Sequence, residues 1–114
     1  MKYNEVVRIL DAEVLCGEDK LDHEVYNACA SDMMSDVLAF AKEYSMLLTG
    51  LINQQVIRTA EMMDIECVCF VRDKKPDPSI VELAIEKRIL VLKTANLMFE
   101  SSGMLYSAGL KKRD

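Results

Sequence analysis

The sequence predicts an α/β fold: a single-domain layered sandwich, a mostly parallel sheet of four to five strands with helices on both faces. Three observations carry this. Ser45–Leu48 is an apolar run without helical period, bounded by Thr49-Gly50, the pattern of a strand buried on both sides. Val56, Ile57, Ala60 and Met63 then make one stripe of a helix, with Asn53 standing at its N-cap. Cys67–Val71 is a second apolar strand. Strand, helix and strand in that order make a βαβ unit, whose strands run parallel through a right-handed crossover.

The rest of the chain extends this unit. Lys2–Leu10 places Tyr3, Val6, Val7 and Leu10 on one helical face. Glu13–Cys16 is a short strand closed by Gly17, and the charged Glu18–Asp22 is a surface turn. Glu24–Ala30 alternates weakly and reads as a strand. Ser31-Asp32 then stands as the cap of a helix through Lys42, with Met33, Met34, Val37, Leu38 and Ala41 as its buried stripe. After Val71 comes a loop rich in charge that holds both prolines. Asp77 is the natural N-cap of the next helix and Pro78 fits its first turn, where a missing N–H does no harm. Ile80, Val81, Ala84 and Ile85 form that helix's stripe, and Ile89–Leu92 is another strand. Thr94 closes the strand, a helix runs from Asn96 to Ala108, and Gly109 is its C′ residue.

Composition bounds the function. A chain of 114 residues, 51% hydrophobic, has one domain's worth of core, so we expect residues 1–114 to form a single domain. A formal net charge of −5 disfavours nucleic acid and anionic membrane, which select basic faces. Lys111-Lys112-Arg113, within a 110–114 tail, is the one basic cluster and reads as a solvated end. No apolar run reaches the roughly 18 residues that span a bilayer, and the first residues lack a signal peptide's apolar segment. The expectation is a cytoplasmic protein with reduced thiols, in which Cys16, Cys29, Cys67 and Cys69 are small buried apolar residues. No Cys-x-x-Cys occurs and His23 is the single histidine, so neither metal nor cofactor is expected.

In a parallel sheet, ligands gather beyond the carboxyl ends of the strands. Here those ends carry Ser31-Asp32, Thr49-Gly50-Leu51-Ile52-Asn53, Arg72-Asp73 and Thr94-Ala95-Asn96. Hydroxyls and free N–H groups at helix N-termini suit an anion or polar ligand, and Gly50 lets backbone approach closely. Candidate ligand residues are therefore Ser31, Asp32, Thr49, Gly50, Leu51, Asn53 and Thr94. The same residue types are also the preferred N-caps, and capping alone is the simpler explanation of them. Catalytic signatures are missing: no P-loop string, no Gly-x-Gly-x-x-Gly, no Gly-x-Ser-x-Gly elbow. His23, between Asp22 and Glu24, reads as solvated. Glu82/Glu86 read as a solvent face and Arg58/Glu61 as a surface ion pair. An enzyme built on Asp32, Thr49 and Asn53 would need an acid or base that the sequence does not supply.

The last helix is apolar on two sides. Leu97, Met104, Leu105 and Ala108 make one stripe, while Met98, Phe99 and Tyr106 extend the apolar character around another, with Gly103 between. Either Met98, Phe99 and Tyr106 meet a second copy or a partner chain, or the helix is sunk between the sheet and the N-terminal helix.

The strings Ala-Ser-Asp-Met-Met-Ser-Asp-Val-Leu at 30–38, Leu-Leu-Thr-Gly-Leu at 47–51 and Gln-Val-Ile-Arg-Thr-Ala-Glu-Met at 55–62 resemble the DRTGG domain family. The resemblance covers Val6 to about Gly109 and extends to the N-terminal domain of HPr kinase/phosphorylase. Similar domains occur inside phosphotransacetylases and CBS-domain pyrophosphatases. It implies an α/β sandwich that serves as an accessory or regulatory module, often at subunit interfaces. Thr49–Asn53 occupies the turn where family members carry their Asp-Arg-containing motif, and no P-loop follows, so kinase activity does not carry over. The combined expectation is a non-catalytic regulatory domain that is homodimeric and binds a small anionic or nucleotide ligand at the strand carboxyl ends. The alternative is a pure interaction module accompanying a larger metabolic or redox enzyme, with no ligand.

Overall fold

The computed structural model describes residues 1–111, and over these the chain alternates as its periodicity requires. The order is α1 (Tyr3–Leu10), β1 (Glu13–Cys16), β2 (Asn27–Ala30), α2 (Met34–Phe40), β3 (Ser45–Thr49), α3 (Gln54–Met62), β4 (Cys67–Phe70), α4 (Pro78–Glu86), β5 (Leu90–Lys93) and α5 (Met98–Ser107). A 3₁₀ turn at Glu18–Lys20 follows β1. Of the expected basic tail, Lys112 and Arg113 lie outside the described residues.

The strands form one sheet in the order β1-β5-β4-β3-β2. From β2 to β5 the pairs are parallel, and β1 lies antiparallel on the β5 edge. Each crossover from β2 to β5 steps one strand in the same direction. A right-handed connection therefore sends α2, α3 and α4 to one face. Val37, Val56, Ile57, Ala60, Ile80 and Ala84 bury there against Leu47, Val68, Phe70 and Val91. The other residues of the same strands, Met46, Leu48, Cys67, Cys69, Leu90 and Leu92, point to the second face. Two helices outside the crossovers cover it: Tyr3, Val6 and Leu10 of α1, and Leu105 of α5. The inner strands β3, β4 and β5 are buried on both faces, which is why they are continuous apolar runs, while the edge strands β1 and β2 are only partly covered.

Three helices differ from the sequence reading. The expected cap residues Ser31-Asp32 do not cap α2, whose N-cap position is Met33 with no side-chain cap hydrogen bond. Only Val37 of the expected stripe is fully buried; Met33 and Leu38 are exposed, because α2 is a short helix at the sheet's edge strand. On α4, Asp77 holds the N-cap position and Pro78 the first turn as expected, but the Asp77 carboxylate accepts from the Ser79 hydroxyl (2.8 Å) and makes no cap hydrogen bond, and Ile85 is exposed. On α5 the inward stripe is Met98, Ser101 and Leu105, not Leu97, Met104 and Ala108. That helix is not sunk in the core: it packs beside α1 on the sheet and leaves Phe99 87% and Tyr106 61% exposed. Lys111 places its ammonium 4.4 Å from the Tyr106 ring centroid. The expected Arg58–Glu61 pair is replaced by Glu61 with Lys87 (3.3 Å), because α3 and α4 pack side by side.

Candidate functional site

The carboxyl ends of β3, β4 and β5 lie next to one another, since Thr49 pairs with Phe70 and Phe70 with Lys93. The turns that follow are stitched into one rim. Val71 donates to the Thr49 carbonyl (3.0 Å), Arg72 to the Asn96 carbonyl (2.9 Å) and Asp73 to the Thr94 carbonyl (2.9 Å). Arg72 and Asp73 both hold left-handed backbones, φ 64° and 57°, which turn the chain sharply at β4's end. Strand order never reverses within the parallel set, so no crevice opens between helices leaving to opposite faces. The rim's chemistry is instead concentrated on Gly50.

Gly50 sits between opposite charges. Its N–H donates to Asp32 Oδ1 (2.7 Å), and the Thr49 hydroxyl donates to the same oxygen (3.2 Å). Its carbonyl accepts from the Arg72 guanidinium (3.2 Å). A Cβ at Gly50 would fall 2.4 Å from the nearest guanidinium nitrogen, so the absent side chain is what lets Arg72 lie over the backbone. Asp32 reaches Gly50 because β2 and β3 are parallel neighbours and Ser31 donates to the Leu48 carbonyl (3.0 Å). A carboxylate of the same chain therefore takes both of these donors.

The other expected ligand residues are placed as follows. The Ser31 hydroxyl accepts from the Met33 N–H (3.0 Å), closing a local turn. The Leu51 N–H donates to the Thr49 hydroxyl (3.1 Å). The Asn53 side chain accepts from the Val56 N–H (3.2 Å), capping α3 as its position requires. The buried Thr94 hydroxyl donates to the Leu10 carbonyl (2.7 Å), an orphan acceptor at the end of α1 that Asn96 also serves (3.0 Å). The structure thus gathers Asp32, Thr49 and Gly50, while Asn53 and Thr94 sit on the same side with their side chains engaged. Arg72 was missing from the candidates. Its signal is a charged pair directly after an apolar strand, between two hydroxyl-bearing turns.

An open cavity of about 650 Å³ lies at the opposite end of the sheet, at the amino ends of β3 and β4. Tyr3, His23, Tyr26, Tyr44 and Glu66 are among its lining residues. Local pattern gives no hint of it, since its walls come from four separate segments. His23 is surface-exposed, as expected, and faces Glu66 at 3.0 Å.

The thiols are not poised for chemistry. Burial pushes the Cys69 thiol up to about 12 and holds Cys67 well above its ordinary range. Burial also raises Cys16 and the half-buried Cys29. A protonated thiol is neither nucleophile nor metal ligand. Among the described residues, no group of three or more His, Cys, Asp or Glu is arranged to hold a metal ion. No helix among them is long and apolar enough to cross a membrane.

A family model described as the DRTGG domain matches residues 5–108. The fold is similar, at TM-score 0.75, to a solved structure of the CBS and DRTGG domains from the regulatory region of Clostridium perfringens pyrophosphatase, complexed with its activator diadenosine tetraphosphate. Identity is 17% over 91% of this chain, which spans 45% of that one. No curated protein matches the chain.

Proposed function

Because the chain belongs to the DRTGG domain family, we propose that it is a regulatory, ligand-sensing domain rather than a catalytic one. Its ligand is a small anion or nucleotide held at the rim around Gly50. The observation that carries this is the Asp32–Gly50–Arg72 arrangement: a backbone donor held by an internal carboxylate, beside a cation whose fork has further N–H groups to offer. A ligand phosphate takes the Gly50 and Thr49 donors, pairs with Arg72 and displaces Asp32. That exchange frees the β2–α2 turn, so binding is converted into a movement of an edge element. A nucleotide activator accompanies the pyrophosphatase regulatory region, so adenine nucleotides are the first ligands to try.

The test is calorimetric titration with adenine nucleotides and with inorganic phosphate. Binding that disappears in Arg72→Ala supports the reading. No binding at millimolar concentration removes it, since a native-state ligand must also raise stability.

A second reading rests on Phe99 and Tyr106, large apolar groups left open on α5. In it the domain is homodimeric, or docks on an enzyme subunit, through Phe99 and Tyr106, with or without ligand; Met98, the third expected contact, packs against the core instead.

A further inference from the structure

The amino-end cavity has the opposite character from the rim. Four carboxylate residues, Glu24, Glu43, Asp64 and Glu66, line it, and no lysine or arginine does. Glu24 faces the N-terminal amine (3.3 Å) and Glu66 faces His23 (3.0 Å). Glu43 and Asp64 have no ion-pair partner among the described residues. Beside them stand two exposed aromatic rings, Tyr26 and Tyr44, set edge to face with centroids 5.4 Å apart. Tyr44 is carried there on a left-handed backbone, φ 57°, and its carbonyl is fixed by the Tyr26 N–H at 2.9 Å.

A second observation is independent of that charge. Tyr3 is 1% exposed and lines the same cavity, and its hydroxyl has no hydrogen-bond partner among the described residues. Among the described residues the only fully enclosed side-chain polar atom without a partner is Ser101 Oγ, so the Tyr3 oxygen, though its ring is packed away, keeps an opening onto the cavity. Here the group sits where a bound molecule would supply one. Burial first, then nearby Cys67 and Glu66, raise its pKa, so the phenol stays neutral and its oxygen is free to accept.

We propose that this cavity binds a small organic cation bearing ammonium or guanidinium groups. Ring faces attract such cations, the carboxylates give them charge-assisted hydrogen bonds, and the Tyr3 oxygen accepts a further N–H. A volume of about 650 Å³ is in the range of small-molecule sites. A nucleotide would meet four carboxylate residues and no lysine or arginine, so this site is separate from the rim and does not depend on it.

The experiment is calorimetric titration of the full chain at matched ionic strength, with spermidine as the probe for a free polyamine and blocked arginine amide as the probe for a partner's basic side chain. Saturable binding of either probe is expected. It should weaken by about tenfold or more in the exposed double variant Glu43→Gln/Asp64→Asn, and by about tenfold in Tyr3→Phe, which keeps the ring. Which probe binds more tightly identifies the source. Absence of saturable binding by both probes, or binding unchanged in the double variant, overturns the proposal. Neither result bears on nucleotide binding at the rim.

Discussion

Replacing Asp32 by Ala is the sharpest perturbation of the rim. The carboxylate accepts two hydrogen bonds, from the Gly50 N–H at 2.7 Å and the Thr49 hydroxyl at 3.2 Å. Gly50 and Thr49 are buried, so both donors lose their acceptor at once. An unsatisfied buried donor costs about 1–3 kcal/mol. The Asp32 contacts are only partly buried and water can replace some of what is lost, so the sum should be about 2–3 kcal/mol. With a slope of about 1.5 kcal/mol per M, the urea midpoint falls by about 1.3–2 M. The same loss vacates the anion position. Inorganic phosphate should therefore restore part of the variant's stability while adding less to the parent protein, at matched ionic strength. Asp32→Asn keeps an acceptor oxygen and should lose about 1 kcal/mol. A change below about 0.5 kcal/mol in Asp32→Ala, or equal phosphate effects on both proteins, refutes the reasoning.

Three further outcomes follow. Phe99→Glu with Tyr106→Glu should leave the circular-dichroism spectrum intact, since both side chains are exposed, and should shift sedimentation from dimer to monomer; an unchanged sedimentation coefficient rejects α5 as the interface. Gly17→Ala forces a Cβ to 2.5 Å from the Leu90 Cα at φ 85°; strain and overlap together should cost about 2–4 kcal/mol in urea unfolding, and a loss below about 1 kcal/mol would contradict the close β1–β5 approach. Burial raises the pKa of Cys67, Cys69 and Tyr3 in the folded state, so the native protein holds protons that the unfolded chain gives up. Their contribution is complete below the unfolded thiol range and is lost as pH climbs above it, from about 9 upward. Unfolding free energy should therefore fall steadily in the alkaline limb, and a flat profile there would contradict the burial of these groups.

The β3–α3–β4 unit was readable because burial on both faces turns its strands into continuous apolar runs, and because Asn53 does what an N-cap does. The helix faces were less readable where apolar residues outnumber buried positions. Met33, Leu38, Ile85 and Phe99 are as hydrophobic as core residues, yet sit on the solvent side of helices that have only one neighbour layer. Ser31-Asp32 looked like a cap because the sequence shows residue type and not reach; Asp32 in fact crosses to the adjacent strand's turn. Arg72 was hidden by its loop, since a charged, proline-rich stretch reads as solvent-facing. The amino-end cavity was beyond local pattern altogether: Tyr3, His23, Tyr44 and Glu66 come from separate segments and meet only in the folded chain.

In the proposed function a small anion is sensed at the rim around Gly50. Amide chemical-shift mapping during titration with an adenine nucleotide tests this at once for the whole chain. The largest shifts should fall on Ser31–Met33, Thr49–Asn53 and Arg72–Asp73, with Tyr44 and Glu66 unmoved. Shifts centred on Tyr44 and Glu66, or none along the rim at saturating nucleotide, would contradict it.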